Sequence, residues 1–313
     1  MKYVLKKFIT MLITVLLVSL FVFLAFSLIP GDPAVAKLGT QATPEKVAAL
    51  REQMGLNRPL IVRYVSWLKD FLFGNMGMSY SYSMSVKSML ADKFPITITL
   101  TILSFIFITI ISIPLGLYIT EHDGSVVSKI VDGINQILMA IPPFFSGMLI
   151  TYFFGLILRL FKPGGFVSYT RDFGGFLYYL IFPAIAIALP KSAMTIRMLK
   201  SSILAEAKQD YVRTAYSRGN TTTAVMYKHV LKNAFIPVIT FLGMTLSDIV
   251  AGSLIVEQVF SIPGLGRLLV TSISNRDYPV VQAIIVMIVV IVVVINLLVD
   301  ITYRVIDPRI EEE

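Results

Sequence analysis

The sequence predicts an all-α integral membrane protein of six transmembrane helices, with a small extracytoplasmic insertion between helices one and two. Composition is the first reason. Of 313 residues, 56% are apolar and only 15% charged, whereas a soluble domain carries about 25% charged residues. The second reason is length. Six apolar stretches, near 8–29, 96–119, 131–160, 176–199, 235–257 and 281–303, match or approach the roughly 20 helical residues that cross a hydrocarbon core of about 30 Å. The last stretch is dense in β-branched side chains, which would favour a strand in water. In lipid only the helix satisfies every backbone group within its own segment. The chain has no cysteine, so its outer parts must hold together by packing alone.

Span one follows a tail carrying Lys2, Lys6 and Lys7 and no acid. That bias predicts a cytoplasmic N-terminus and, across six spans, a cytoplasmic C-terminus. Its apolar run is too long for the core of a cleaved signal peptide, which spans about 7–15 residues. Residues 30–95 then form the outer insertion. Thr43 can cap a helix with Pro44 at its first position, and Val47, Leu50 and Met54 share a face up to Gly55. A second helix is expected after Pro59, with an apolar stripe of Ile61, Tyr64, Val65, Leu68, Phe71 and Leu72 ended by Gly74. Residues 74–82 read as loop. The insertion is too small to fold alone and is expected to rest on the outer face of the bundle.

Span three contains Pro142-Pro143, which must break or kink it, and span four contains Pro183 and Pro190. Carbonyls freed by such prolines need neighbours or water, so kinked spans are candidates to line a pathway. In span five Asp248 falls mid-span, where an isolated carboxylate costs ~2.5–3.5 kcal/mol on insertion scales. It should face a wet cavity or a polar partner such as Ser247. Pro142, Pro143, Ser247 and Asp248 are therefore the candidate pathway residues. Between spans five and six, Pro263, Gly264 and Gly266 are expected to make a turn, with Leu265, Leu268 and Leu269 as a short apolar face. Asn296 and Asp300 in span six are expected near the cytoplasmic interface. The resulting division is 1–29 (tail and span one), 30–95 (insertion), 96–303 (five-helix core with inner loop 200–234 and outer loop 257–280) and 304–313 (cytoplasmic tail).

The chemistry that is missing narrows the function. There is no phosphate-cradling G-x-x-x-x-G-K-[ST] loop, no H-E-x-x-H and no G-x-S-x-G. The two histidines, His122 and His229, stand in separate loops without metal-ligand spacing. Nothing in the chain resembles an enzyme, and no cofactor or metal site is expected on it. The formal charge of +8 reflects membrane orientation and not nucleic-acid binding. Residues 191–232 carry eight basic side chains against Glu206 and Asp210, which places this loop inside.

The stretch from Glu206 to Pro237 is the most informative part of that loop. It projects polar, helix-forming sequence into water, and a single Gly219 predicts two short helices meeting at a turn. This is the pattern of a docking element. Attraction to anionic lipid would account for the basic residues, at about 1 kcal/mol per cation near the surface, but not for the glycine or the small Ala215.

These residues resemble the cytoplasmic coupling loop of the membrane subunits of ABC importers, in the version found in the dipeptide/oligopeptide/nickel permease family. The matching positions are Asp210, Tyr211, Val212, Arg213, Thr214, Ala215, Gly219, His229, Asn233 and Pro237. The resemblance covers nearly the whole chain. It takes in Pro30-Gly31-Asp32-Pro33, Met54-Gly55-Leu56 with Arg58-Pro59, the run from Gly74 to Ser79, Ile262 to Arg267, Arg276-Asp277-Tyr278-Pro279 and Asp307-Pro308-Arg309. The long insertion is similar to that of the first of two paired permeases. Two departures stand out. Arg213-Thr214-Ala215 occupies the place of the usual Glu-Ala-Ala triplet, so Glu206 is not the motif glutamate. His229-Val230-Leu231-Lys232 replaces the usual Ile-x-Leu-Pro.

The resemblance implies a type I importer-like permease fold in the cytoplasmic membrane of a prokaryote. It implies partnership with a second homologous permease, two ABC ATPase subunits and an extracytoplasmic substrate-binding protein. ATP and magnesium would be bound by the ATPases, and the chain would move peptides or a similar solute inward. Asp210, Tyr211, Arg213, Thr214, Ala215, Arg218, Gly219, His229, Asn233 and Pro237 would couple to the ATPase. Pro263, Gly264, Leu265, Gly266 and Arg267 would meet the binding protein. The competing readings are a secondary transporter or channel working without an ATPase, and a receptor or scaffold. The first of these would be expected to show several paired intramembrane charges and internal repeats.

Overall fold

The computed structural model describes residues 2–28 and 32–306. Pro30, Gly31 and the Asp307-Pro308-Arg309 run therefore lie outside the described residues. Five helices are long and apolar enough to cross a membrane: Lys6–Leu28, Val86–Glu121, Phe173–Glu206, Thr222–Val259 and Tyr278–Thr302. Val126–Ala140 and Pro143–Ile157 pass the same test only as a pair, bent by 106° at the break between them, which is the geometry of a broken span or a re-entrant loop. No strand occurs among the described residues beyond one isolated bridge between Met78 and Ser85. The chain divides into two units, residues 1–96 with 263–293, and residues 97–262 with 294–313.

The first unit contains α1 (Lys2–Leu28), α2 (Pro33–Leu38), α3 (Pro44–Gln53) and α4 (Leu60–Leu72), with two later helices. Asp32 caps α2 by accepting from the Ala34 amide at 2.9 Å, and its other oxygen accepts from Arg51 Nη1 at 2.9 Å. Thr43 caps α3 with Pro44 at its start, as its sequence predicts. One face of α4 packs on α1. The Tyr64 hydroxyl meets Ser19 Oγ at 2.9 Å, and the Phe23 ring lies 5.5 Å from Tyr64 and 5.8 Å from Trp67. The opposite face of α4 leaves Ile61, Val65 and Leu72 exposed. The insertion thus holds to span one through an aromatic cluster, each pair contributing about 0.5–1.5 kcal/mol beyond area burial.

The second unit is organised around α8 (Phe173–Glu206), which packs against α6 (Val126–Ala140), α7 (Pro143–Ile150) and α11 (Leu231–Val259). Alanines 184, 186, 188 and 193 let these helices approach α8, and Leu180, Ile187, Ile196 and Leu199 fill the space between. Pro183 and Pro190 lie inside α8 without ending it. In α11, Gly243 permits a close approach by residue 299: a Cβ there would stand 2.4 Å from Val299 Cγ1.

The 106° bend is sharper than the kink the two prolines require. Proline disfavours helical ψ in the residue before it, and two in succession act twice. Ile141 takes ψ 120° and Pro142 takes ψ 147°. Two consecutive extended residues redirect the chain, so residues 131–160 do not form one continuous span. Helical ends also run past the apolar cores. α5 (Val86–Glu121) starts ten residues before the apolar stretch at 96, and α8 continues to Glu206. Only residues 207–221 separate the long span Phe173–Glu206 from the next, Thr222–Val259.

Candidate functional site

Residues 207–221 form a compact helical hairpin. α9 (Asp210–Ser217) ends at Arg218, and Gly219 takes φ +80°, the left-handed conformation that reverses the chain. Asn220 Nδ2 donates to the Ala215 carbonyl at 2.9 Å, closing the C-terminus of α9. Thr221 then caps α10 (Thr222–Val225) by accepting from the Ala224 amide. A π-helical turn, Met226–Val230, leads into α11. Pro237 is accommodated within α11.

The two faces of α9 differ. Val212 and Ala215 are buried against the protein, whereas Tyr211, Arg213, Thr214, Tyr216 and Arg218 are exposed. Ala215 therefore serves close packing inside this chain. Arg213 approaches Asp210 at 3.9 Å, with the two side chains 81% and 97% exposed, a pair worth little to stability. The exposed face presents Arg213 and Arg218 beside Asp210.

The hairpin is fastened by Glu206, the residue that motif matching sets aside. Its Oε1 accepts from the Tyr211 hydroxyl at 2.6 Å and from Asn233 Nδ2 at 3.2 Å. Asn233 Nδ2 also donates to the Tyr211 hydroxyl at 3.1 Å, and the hydroxyl lies 3.4 Å from the His229 carbonyl. Tyr211, His229 and Asn233 thus converge on one point, where the end of α8, the start of α9 and the start of α11 are tied together. Partial burial, and then the hydrogen bond to Glu206, push the Tyr211 phenol above its ordinary value. It stays protonated and can donate.

A second polar cluster braces α8. Lys200 Nζ reaches Asp123 at 2.8 Å, Asp132 at 2.8 Å and Ser128 Oγ at 3.0 Å. It joins α8 to α6 and to the loop before α6. The hydrogen bond from Lys200 holds the Asp123 carboxyl below its ordinary value.

Within the spans, Asp248 has the polar partner that its sequence position calls for, but that partner is Lys191 and not Ser247. Its Oδ2 accepts from Lys191 Nζ of α8 at 2.9 Å. Ser247 points another way and donates to Asn296 Oδ1 at 2.7 Å. Residues 247 and 248 lie about 100° apart around a helix, so they serve different neighbours. Asn296 thus lies beside the middle of α11. Thr97 donates to the fully buried Glu257 at 2.5 Å. Lys191 and Glu257 are functional candidates that sequence reasoning misses: the first reads as the start of a basic loop, the second as the start of an outer one. Pro142 and Pro143 sit at the bend before α7.

In the first unit, residues 263–267 enter α12 (Leu265–Ser274). Gly266 is in the helix and not in a turn, because Pro263 and Gly264 alone complete the entry. Gly264, Leu265 and Gly266 are buried, Pro263 is half-buried and Arg267 is exposed. The neighbouring Asp277 is fully buried. It accepts from Ser79 Oγ in a very short hydrogen bond, and from the amides of Tyr80 at 3.0 Å and Ser81 at 3.2 Å. Burial, and secondarily Asp277, push the Tyr80 phenol up to about 12.

Comparison with known proteins places this architecture. The family model "binding-protein-dependent transport system inner membrane component" matches residues 112–312, and the N-terminal model of such membrane components matches residues 1–101. A probable peptide ABC transporter permease of Sinorhizobium fredii is 35% identical over 308 residues, 98% of each chain. A glutathione transport system permease of Salmonella typhi is 33% identical over 310 residues, 99% of each. Among solved structures, the methionine ABC transporter MetNI in an inward-facing form matches with TM-score 0.56 at 18% identity, covering 70% of this chain and 96% of that one. At that identity the likeness speaks to the fold.

Proposed function

The chain belongs to the binding-protein-dependent inner-membrane permeases of ABC importers, and from that premise we propose that it moves peptides inward under the drive of separate ATPase subunits. The observation that carries the reading is the clamped hairpin: a short helix with an exposed basic face, fixed through Tyr211, Glu206 and Asn233 to the ends of two membrane-spanning helices. An element meant only to connect two spans has no use for such fixation.

The mechanism follows from stiffness. An ATPase subunit grips the outer face of α9, where Arg213 and Arg218 offer charge-assisted contacts. When two ATPases close on ATP, α9 is displaced. The Glu206 clamp passes that displacement to α8 and α11 together, since both ends share the same hydrogen-bonded point. These helices carry Lys191 and Asp248, so a rigid-body tilt alters access to the charge pair. Asp248, with the bend at Pro142 and Pro143, lines the route. Nucleotide and magnesium belong to the ATPases. The basic hairpin and the lysine-rich N-terminus face the cytoplasm. A second permease of the same family completes the pathway, and a soluble binding protein delivers the solute on the opposite side, with Arg267 as its exposed contact.

Peptides are favoured as solute because the full-length relatives include peptide and glutathione permeases, both carrying substrates with amide bonds and a free ammonium. Purification of a tagged chain in mild detergent tests the reading. Two ATPase subunits and one second permease should co-purify, and the reconstituted complex should take up peptide only with ATP and the binding protein. Uptake driven by an ion gradient alone would overturn it.

A further inference from the structure

Lys191 and Asp248 meet inside two membrane-spanning helices, Lys191 near the middle of the 34-residue α8 and Asp248 near the middle of the 29-residue α11. The two partners are not equivalent. The lysine side chain is 20% exposed and the aspartate 64%. A carboxylate presented so openly cannot face acyl chains, where charged groups are expelled or neutralised. It faces water or a polar occupant.

The surroundings indicate which occupant. Met244, Ala251 and Ile255 are exposed on the same side of α11 as Asp248, at helical spacings of four, three and four residues. Between Met244 and Ile255 this line of exposed residues is apolar except for one acid, and the polar Gln258 follows it. The adjacent polar residue, Ser247, is turned away to Asn296. Lys191 is mostly covered and spends its ammonium on Asp248 Oδ2, so it presents little positive charge to the route. A carboxylate can accept about four hydrogen bonds. Lys191 orients Asp248 through Oδ2 while leaving acceptor sites open.

We propose that Asp248 is a transit subsite for a primary ammonium, the free amino terminus of the peptide, and that Lys191 is its positioning residue. This rests on the peptide-importer reading above. The flanking Met244 and Ile255 give adaptable apolar contact that favours no particular side chain, methionine being flexible and polarizable. A site of this kind reads what all peptides share at one end and ignores most of what differs between them.

The experiment compares uptake of a peptide with that of its N-acetylated form, each normalised to its measured occupancy of the binding protein, in proteoliposomes of the whole complex. The wild type should prefer the free amine by about 10-fold, the scale of one charge-assisted hydrogen bond. Asp248→Asn should bring the ratio near one by lowering uptake of the free-amine peptide only. Asp248→Glu, which keeps the charge, should retain an intermediate ratio, and it serves as the second arm if the Asn variant fails to assemble. Lys191→Gln should lower uptake of the free-amine peptide while leaving the ratio above one. Equal loss for both peptides in Asp248→Asn, or no preference in the wild type, overturns the subsite. Failure of the wild-type complex to co-purify with ATPases would instead overturn the importer reading.

Discussion

The two connections that flank α11 are both rich in family-like motif residues, yet they are built in opposite ways. The hairpin at 207–221 turns most of its motif residues outward. Arg213, Thr214 and Arg218 are exposed, and the segment is held at its base by the Tyr211–Glu206–Asn233 cluster. The segment at 263–277 turns its motif inward. Gly264, Leu265, Gly266 and Asp277 are buried, and Asp277 ties the end of the connection to Ser79, Tyr80 and Ser81. The first arrangement offers a surface on a stiff mount, as docking requires. The second uses its motif to stabilise its own unit. Motif residues alone therefore do not mark a partner surface; burial decides which of them a partner can touch.

The largest effect should come from the inward motif. Asp277→Ala strips three donors of their acceptor in a buried site and should destabilise by about 3 kcal/mol or more, read as a lower thermal midpoint in detergent. Survival of the variant at wild-type stability would break the contrast with the hairpin. Next, Gly219→Trp forces a bulky residue into the left-handed region, a strain of roughly 1–2 kcal/mol. Among the described residues, none beyond its two chain neighbours comes within 4 Å of a Cβ built there, so the chain should still insert. ATP hydrolysis should then proceed without matching peptide uptake. Tyr211→Phe and Glu206→Gln each loosen the clamp by about 0.5–1.5 kcal/mol, and transport per ATP hydrolysed should fall severalfold with membrane insertion unchanged.

A smaller effect depends on pH. The Asp123 carboxyl is lowered below its ordinary value of 3.8 by Lys200. A carboxyl whose folded value is depressed stabilises the fold above its unfolded value and loses that contribution as pH falls through the folded one. The gap in thermal midpoint between wild type and Asp123→Asn should hold from neutral pH to about 5 and close below about 4. The smallest effect is expected at Arg213→Ala, whose exposed contact with Asp210 should change stability by less than about 0.5 kcal/mol while still weakening ATPase association.

What could be read from the chain depended on whether the signal was local. Span positions follow from runs of apolar residues, and the turn at Gly219 and the caps at Thr43 and Pro44 follow from single-residue chemistry. The break at Pro142-Pro143 is local too, but its angle arises from two extended residues in succession. Partners across helices are not local. Whether Asp248 meets Ser247 or Lys191 depends on how α8 and α11 are rotated against each other, and the pairing of Thr97 with Glu257 spans 160 positions. Glu206 stands outside the motif register, so the motif does not mark it. Its role appears only once the end of α8 and the start of α11 are brought beside Tyr211.

The most direct test of the docking account uses this cysteine-free chain, with single cysteines placed at the exposed Arg213 or Tyr216. Short crosslinkers should join either position to an ATPase subunit, with a yield that changes on ATP addition. Cysteines at the buried Val212 should remain unlinked. Absence of any crosslink to an ATPase from the exposed face, in a complex that transports normally, would contradict the account.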